Sequence, residues 1–365
     1  MHIDLYHHKS IPHLNQIFTG FRMLERKGLL TLTVIQNSEQ VFADASLPIV
    51  RVCVDKRHHL IFDTLDGYRF DHSCSPAENV RLLDRVLGTC HFYFKRSFSK
   101  RLNRGLNRTN IHPLGLNYNV YNELYSEFSQ VKPFSKAFLR LLVTHNRLLA
   151  RLSDVEYYND LKVDNLAALP LIRDSYNYPG SILFLTRPWD PFGQELPQDL
   201  IEERHEMNEF RAACIRACRK EFGTYFTGGF SDSAYARSMY PDLIVDKSLT
   251  GKANYLGVMR KSAICVATTG LHDSIGWKFG EYVSHAKGII SESLKYTLPG
   301  SFSEPDNYLT FRSVDELLRQ INSLQQNPDK LIAMMQANHQ YYTEWVRPDA
   351  LIMNTLLRAT STLPV

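Results

Sequence analysis

The sequence predicts an α/β protein built as two domains in tandem, each a layer of largely parallel strands covered by helices. Three observations predict it. Strand and helix patterns alternate from the first residue to about Leu357. The opening reads strand, helix, strand, which implies a parallel pair with a right-handed crossover. A polar stretch bracketed by Pro170, Pro179 and Gly180 is followed at once by a new core strand, Ser181–Thr186. At 365 residues and about 100–200 residues per domain, two domains fit the length.

In the first half, residues 1–6 and Leu29–Gln36 are predicted strands, with a helix over 13–27 that stops at Gly28. Ile49–Val54 and His59–Phe62 read as a hairpin around His58-His59. Pro76–Leu87 reads as a helix and His91–Phe94 as a strand. Residues 97–120 read as a polar loop, rich in Arg and Asn. Helical spacing resumes over Ser135–Ser153, and the domain boundary is set at 178/179. The second half predicts a helix over Asp199–Phe222, a turn at Gly228-Gly229, short strands at Leu243–Val245 and Ala263–Ala267, and a helix from Trp277. A strand at Gly288–Ser291 follows, then helices over Val314–Gln325 and Pro328–Gln340. A last helix, within 346–365, is expected to cross back onto the first domain.

Composition excludes several classes. The chain is 44% hydrophobic and 22% charged, so disordered and fibrous classes are out. Its 42 Lys and Arg against 38 Asp and Glu give +4, too weak and dispersed for nucleic acid. No apolar run approaches the roughly 18 residues of a membrane helix, and MHIDLYHHKS reads as a strand, not a signal peptide. Six cysteines without a CxxC pair read as buried thiols of a reducing compartment, so a cytoplasmic location is expected. Cys214 and Cys218 lack further metal ligands nearby and read as core residues. Gly251-Lys252 lacks the P-loop glycines, and no Gly-x-Ser-x-Gly is present.

The sharpest block is His272–Glu281, HDSIGWKFGE, between a buried strand and a helix. A helix N-terminus offers free N–H groups and partial positive charge to a diphosphate. A carboxylate in its first turns, Glu281, can accept bonds from a ribose diol; one in the preceding loop, Asp273, can reach a sugar beyond the phosphate. The other reading makes Asp273 a helix cap and pairs Glu281 with Lys278 or Lys287 on a solvated face. Arg187, ending strand 181–186, suits a pyrophosphate leaving group, and Lys252 is a second phosphate candidate. The turn at Gly229 faces a nucleotide base or is a plain turn. In the first half, Asp63 and Asp66 end a strand and offer a general base, although Asp66-Gly67 is also a turn signal. His7 and His8 follow the first strand. Lys95 and Arg96, with the Arg-rich loop 97–108, form a basic patch for an anionic acceptor or a membrane surface.

The block from Trp277 to Ile290, with its acid–seven residues–glutamate spacing, resembles the donor-binding segment of GT-B glycosyltransferases of bacterial polysaccharide and lipopolysaccharide synthesis. The tail, with Tyr308, Phe311, Val314–Leu317 and Asn327–Lys330, resembles the same group, over roughly residues 181–357. The resemblance implies two Rossmann-like domains facing across a cleft, the donor nucleotide-sugar in 179–345 and the acceptor in 1–178. It implies Glu281 on the ribose and Asp273 with His272 near the transferred sugar; aspartate stands where glutamate is usual. Arg187, Lys252, Lys278 and Gly229 complete the expected donor-binding set, with Asp273, His272, Asp63 and Asp66 as the catalytic set. No metal and no cofactor is expected. The expected partners are a nucleotide-sugar donor, a glycan or lipid-linked acceptor and a peripheral membrane contact. A sugar-phosphate epimerase or phosphorylase, and a non-catalytic glycan-binding scaffold, are the rival readings. Stereochemistry stays open, the acid–seven–glutamate spacing leaning one way and the Asp63/Asp66 pair the other.

Overall fold

The computed structural model describes residues 1–7, 12–36, 41, 42, 44, 46–120, 181–193 and 196–361. The expected helix over Ser135–Ser153 and the boundary at 178/179 lie outside these residues.

Strand β1 (His2–His7) and strand β2 (Thr31–Gln36) pair in parallel around helix α1 (Asn15–Arg26). The helix stops before Gly28, whose φ of +72° turns the chain into β2. Strands β3 (Ile49–Val54) and β4 (His58–Asp63) form the expected hairpin, but it turns at Asp55-Lys56, both at positive φ, and His58-His59 lie in β4 and not in the turn. Helix α2 (Pro76–Leu87) starts on a capping box, Ser75 with Glu78, and Pro at its first position, so its start is legible residue by residue. Strand β5 (Phe92–Lys95), helix α3 (Lys100–Asn103) and strand β6 (Ile111–Pro113) follow. The sheet order is β2-β1-β3-β4-β5-β6, with β3 antiparallel to both neighbours and every other pair parallel.

The second sheet is all parallel, in the order β11-β10-β9-β7-β8. Its strands are β7 (Ile182–Thr186), β8 (Phe226–Phe230), β9 (Ile264–Ala267), β10 (Gly288–Glu292) and β11 (Leu309–Phe311). Its helices are α4 (Gln198–Phe222), α5 (Ala234–Met239), α6 (Lys247–Thr250), α7 (Lys252–Lys261), α8 (Trp277–Ser284), α9 (Val314–Gln326) and α10 (Pro328–Tyr341). Strand alternation divides the core. Ile182, Phe184, Ile264 and Val266 pack on one face with Cys214 of α4 and Leu317 of α9. Leu183, Leu185, Cys265 and Ile289 pack on the other with Leu256 of α7 and Val283 of α8. Both faces of this sheet are therefore covered, and its strands read as continuous apolar runs. Each fully buried aliphatic or aromatic side chain contributes about 1.5–3 kcal/mol.

After α10 a π-helical turn, Tyr342–Val346, leads into helix α11 (Pro348–Ser361). Leu351, Ile352 and Leu356 join the core of the first sheet with Ile17, Phe21 and Phe62, so the C-terminal helix lies on the first domain. The approach is close: a Cβ at Gly20 of α1 would stand 2.2 Å from the Pro348 carbonyl oxygen. Gln16 Nε2 donates to the Val346 carbonyl at 2.7 Å, and Lys27 pairs with buried Asp349 at 2.5 Å.

Four local expectations are corrected. Gly228 and Gly229 form no turn; they lie inside β8 because a Cβ at Gly228 would strike Phe184 O at 2.9 Å and the Phe226 ring, and one at Gly229 Leu243 O at 2.4 Å. Leu243–Val245 is not a strand: a 3-10 turn over Pro241–Leu243 is followed by a single bridge from Ile244 to Phe230. The stretch 97–120 is not all loop, since Ile111–Pro113 joins the sheet as β6 and Leu116, Tyr118 and Val120 enter the core of the second sheet. Leu309–Phe311, for which the sequence predicts no element between Ser291 and Val314, is a strand; its three residues are too few to show alternation.

Candidate functional site

The C-terminal ends of β7, β9 and β10 meet the start of α8, and buried polar side chains tie them together. Arg211 of α4, 5% exposed, donates to Thr268 Oγ1 at 2.9 Å, to the Thr269 carbonyl at 2.8 Å and to the Arg187 carbonyl at 3.0 Å. One guanidinium so fixes the loops after β7 and β9. Glu292, ending β10, accepts from Thr269 N at 2.8 Å and adds the third strand. Asn208 of α4 clamps Trp189 through both backbone groups, at 2.8 and 2.7 Å. Exposed Arg187 lays its guanidinium 4.0 Å over the Trp189 ring. Its side chain is thus held at the strand end the sequence pointed to.

Asp273 and His272 occupy the turn between β9 and α8, at φ of 57° and 58°. Left-handed backbone at two successive non-glycine residues costs of order 1–3 kcal/mol each, and Asp and His are among the side chains that tolerate it best. Side chains hold it in place. Glu203 of α4 accepts from His272 N and lies 3.9 Å from its Nδ1. Tyr296 donates to the His272 carbonyl at 2.7 Å. Burial holds the His272 imidazole below its ordinary pKa; Glu203 and Asp66 oppose the shift, and Arg69 and His72 add to it. Asp273 is exposed and shares a recess with Thr268, Ser274, Gly276 and Ser291. It is not the cap of α8. Gly276 holds that position and provides no side chain, so the first turn has no side-chain cap.

Glu281, in the second turn of α8, is 3% exposed and so does not sit on a solvated face. Lys278 places its ammonium 3.9 Å over the Tyr255 ring. Lys252 is the first residue of α7. Gly229 is buried in β8 between Leu243, Val245 and Arg219, which removes it from the set facing the cleft.

The first domain meets this turn directly. Arg96, 4% exposed, donates Nη1 to Asp66 Oδ1 at 2.6 Å and Nη2 to the Ile275 carbonyl. A Cβ at Gly67, which has φ +66°, would stand 2.8 Å from His272 Cβ. Thr297 N donates to the Phe98 carbonyl at 2.8 Å. Asp66, 37% exposed, therefore lies at the junction of the two domains, next to Gly67, which packs on His272. Asp63 does not. It is fully buried and accepts from Lys95 Nζ at 2.8 Å, Tyr93 OH at 2.6 Å and Leu65 N at 2.8 Å. That saturated carboxylate braces the sheet, so the expectation that Asp63 opens on the cleft is corrected. Lys95 and Arg96 likewise form no surface patch, since both are buried on carboxylates; Lys100, Arg101, Arg104 and Arg108 are the exposed cations. His7 ends β1, and His8 lies outside the described residues.

Several residues at the site escaped the sequence reading: Glu203, Arg211, Tyr296 and His13. His13 and Trp277 pack with ring centroids 4.5 Å apart and planes tilted at 57°, one ahead of α1 and the other opening α8. His13 Nδ1 and Trp277 Nε1 are buried without a hydrogen-bond partner among the described residues. A buried polar atom left unpaired costs about 1–3 kcal/mol, so such a pair marks a place that polar atoms of a ligand would satisfy. Burial and Arg96 keep His13 below its ordinary pKa.

Among the described residues no helix is long and apolar enough to cross a membrane. Cys214 and Cys218 pack in the core, where burial pushes both thiols up to about 12.

No family model and no curated protein matches the chain. Solved structures do. Anabaena Alr3699/HepE in complex with UDP is 10% identical with a TM-score of 0.44, over 98% of this chain and 99% of that one. The sucrose-phosphate synthase of Thermosynechococcus elongatus is 12% identical with a TM-score of 0.41, over 83% and 67%. A UDP-N-acetylglucosamine 2-epimerase from Listeria monocytogenes is 10% identical with a TM-score of 0.37, over 98% and 95%. Likenesses at these levels carry no function, which has to be argued from the residues. What the two sheets, the contact of Gly67 with His272 and the returning C-terminal helix establish is an α/β fold of two Rossmann-like domains facing across a cleft, the GT-B architecture.

Proposed function

We propose that this chain is a glycosyltransferase that moves a sugar from a nucleotide-sugar donor to a glycan or lipid-linked acceptor in bacterial surface-polysaccharide assembly. One observation carries the reading: Arg96 ties Asp66 of the first domain to the Ile275 carbonyl of the second, and Gly67 packs on His272, beside the uncapped start of α8. Open α/β sheets take ligands outside the carboxyl ends of their strands, and this contact lies there. Supporting it are the orphaned His13 and Trp277 nitrogens at the same place.

In this reading the donor diphosphate lies against the first turn of α8, where its charge meets free N–H groups and the helix dipole. Arg187, Lys252 and Lys278 supply further positive charge to the departing diphosphate, the role a metal plays elsewhere. Glu281 accepts from the ribose. His272 and Asp273 lie beside the transferred sugar, and Asp66 takes the proton from the acceptor hydroxyl. Arg96 occupies one oxygen of Asp66 and leaves the carboxylate anchored at the junction.

Thermal stability against UDP, GDP, ADP, CDP and CMP tests this. A ligand at about a hundred times its dissociation constant stabilises by roughly 2.7 kcal/mol. One nucleotide is expected to raise the midpoint, with the effect lost in Glu281→Ala. No shift with any nucleotide at millimolar concentration refutes the donor site and leaves the glycan-binding scaffold.

A further inference from the structure

We infer that His13, Asn117 and Trp277 form a subsite that reads the hydroxyls of a neutral sugar ring. The sugar transferred is then uncharged, and not a uronate or another acidic sugar. That it is the transferred sugar rests on the transferase reading; that the subsite takes a neutral ring does not. Three polar atoms carry the inference. His13 Nδ1, Asn117 Oδ1 and Trp277 Nε1 are all buried with no hydrogen-bond partner among the described residues. Buried polar atoms in folded proteins are nearly always paired, so three orphans together call for an occupant.

The three are neighbours at the junction of the domains. His13 lies ahead of α1, Asn117 follows β6, and Trp277 opens α8. The His13 and Trp277 ring centroids are 4.5 Å apart. Asn117 Nδ2 donates to the His13 carbonyl at 3.0 Å and to Gln16 Oε1 at 3.2 Å. Both amide hydrogens of Asn117 are thereby used, which fixes the amide orientation and leaves its oxygen as the open end. Asn117 is 2% exposed, so bulk water does not serve that oxygen. Its backbone also rests on α8. A Cβ at Gly280, three residues after Trp277, would stand 2.9 Å from the Asn117 carbonyl oxygen.

The chemistry of the three atoms selects the ligand. The indole N–H only donates, and the amide oxygen only accepts. Burial and Arg96 keep the His13 imidazole below its ordinary pKa, so it is neutral near pH 7 and its Nδ1 donates or accepts according to tautomer. A hydroxyl does both, so the hydroxyls of one ring can satisfy all three. A carboxylate or phosphate oxygen only accepts, and it would meet the Asn117 oxygen with no hydrogen to share. The cation beside His13 does not offset this. Arg96 is held by Asp66 Oδ1 at 2.6 Å and by the Ile275 carbonyl. A diphosphate on the first turn of α8 would carry its sugar next to Trp277. A bound water also bonds both ways and is the rival occupant.

The test follows the indole N–H resonances of the full chain, which has three tryptophans; Trp277→Phe assigns one of them. The first ligands are the nucleoside diphosphate that stabilises the chain and its neutral hexose conjugates. The others, added without nucleotide, are the methyl pyranosides of glucose, galactose, mannose and N-acetylglucosamine, the methyl glycosides of glucuronate and galacturonate, and glycerol. We expect the Trp277 resonance to move with a neutral pyranoside, and to move further with a conjugate than with the diphosphate alone. Trp277→Phe keeps an aromatic ring and removes one donor. It should weaken a conjugate about fivefold and leave the diphosphate unchanged. A resonance that no sugar moves would leave water as the occupant and overturn the inference. So would an equal response to the uronides or to glycerol, or a conjugate and diphosphate weakened alike in Trp277→Phe. If no nucleotide binds, the transferase reading falls, and the free pyranosides alone decide the subsite.

Discussion

Lys95→Met is the substitution whose outcome the structure constrains most tightly. Lys95 and Asp63 are both fully buried, 2.8 Å apart, with Tyr68 and Phe70 rings 4.8 and 5.1 Å from the ammonium. Methionine keeps the apolar stem and removes the charge. Asp63 then retains the Tyr93 hydroxyl and the Leu65 N–H but is left in a fully buried site without its cation. Breaking a buried pair in this way costs about 3–5 kcal/mol. Domains of this size lose roughly 2–4 °C per kcal/mol, so the midpoint of the first domain falls by about 10 °C. Urea unfolding followed by tryptophan and far-ultraviolet signals gives the free energy. The double variant Asp63→Asn with Lys95→Met should regain much of the loss, because no uncompensated charge remains. Single and double variants of equal stability would refute the pairing. A stable Asp63→Asn that abolishes transfer would restore Asp63 as the base.

Other consequences follow from the same coordinates. Arg96→Ala removes two bonds that join Asp66 to the Ile275 carbonyl; we expect a loss of about 2–4 kcal/mol and a wider interdomain distance by small-angle scattering, and an unchanged profile contradicts the latch. Gly67→Ala strains a left-handed residue and pushes on His272, so donor turnover should fall while the stability of the isolated folds changes by only about 1 kcal/mol. His285 is buried, and burial brings its pKa down to about 3 against an ordinary 6.5. The unfolded chain binds this proton first as pH falls, so stability is present above about pH 6.5 and is lost progressively from there towards pH 3. His285→Asn should flatten the acid limb of stability against pH by about one proton; an unaltered slope refutes the assignment.

Much of the fold could be read from local chemistry. The capping box at Ser75 and Glu78, Pro328 opening α10 and the apolar runs of β7 and β9 each announce themselves within a few residues. What escaped depends on partners far away in sequence. Asp63 and Asp66 end one strand three residues apart and look alike, yet Lys95, on the neighbouring strand, claims the first and Arg96 the second. Lys95 and Arg96 in turn look like the start of the Arg-rich loop, because nothing local shows that strand β5 carries them inside. Gly228-Gly229 reads as a turn when only the chain is in view; the crowding by Phe226, Phe184 and Leu243 that requires glycine is tertiary. Glu203 and Arg211 are ordinary polar residues of a long helix until the strand-end loops come to rest on them. The HDSIGWKFGE block was found because its residues are contiguous.

The central claim is that a nucleotide-sugar donor binds at the ends of β7, β9 and β10 and the start of α8. Hydrogen exchange of the full chain with and without the nucleotide-sugar bearing the stabilising base tests it most directly. The account predicts slowed exchange in segments 187–189, 268–281 and the residues around Asp66, and unchanged exchange along α11. Protection confined to α11, or none at saturating donor, would contradict it.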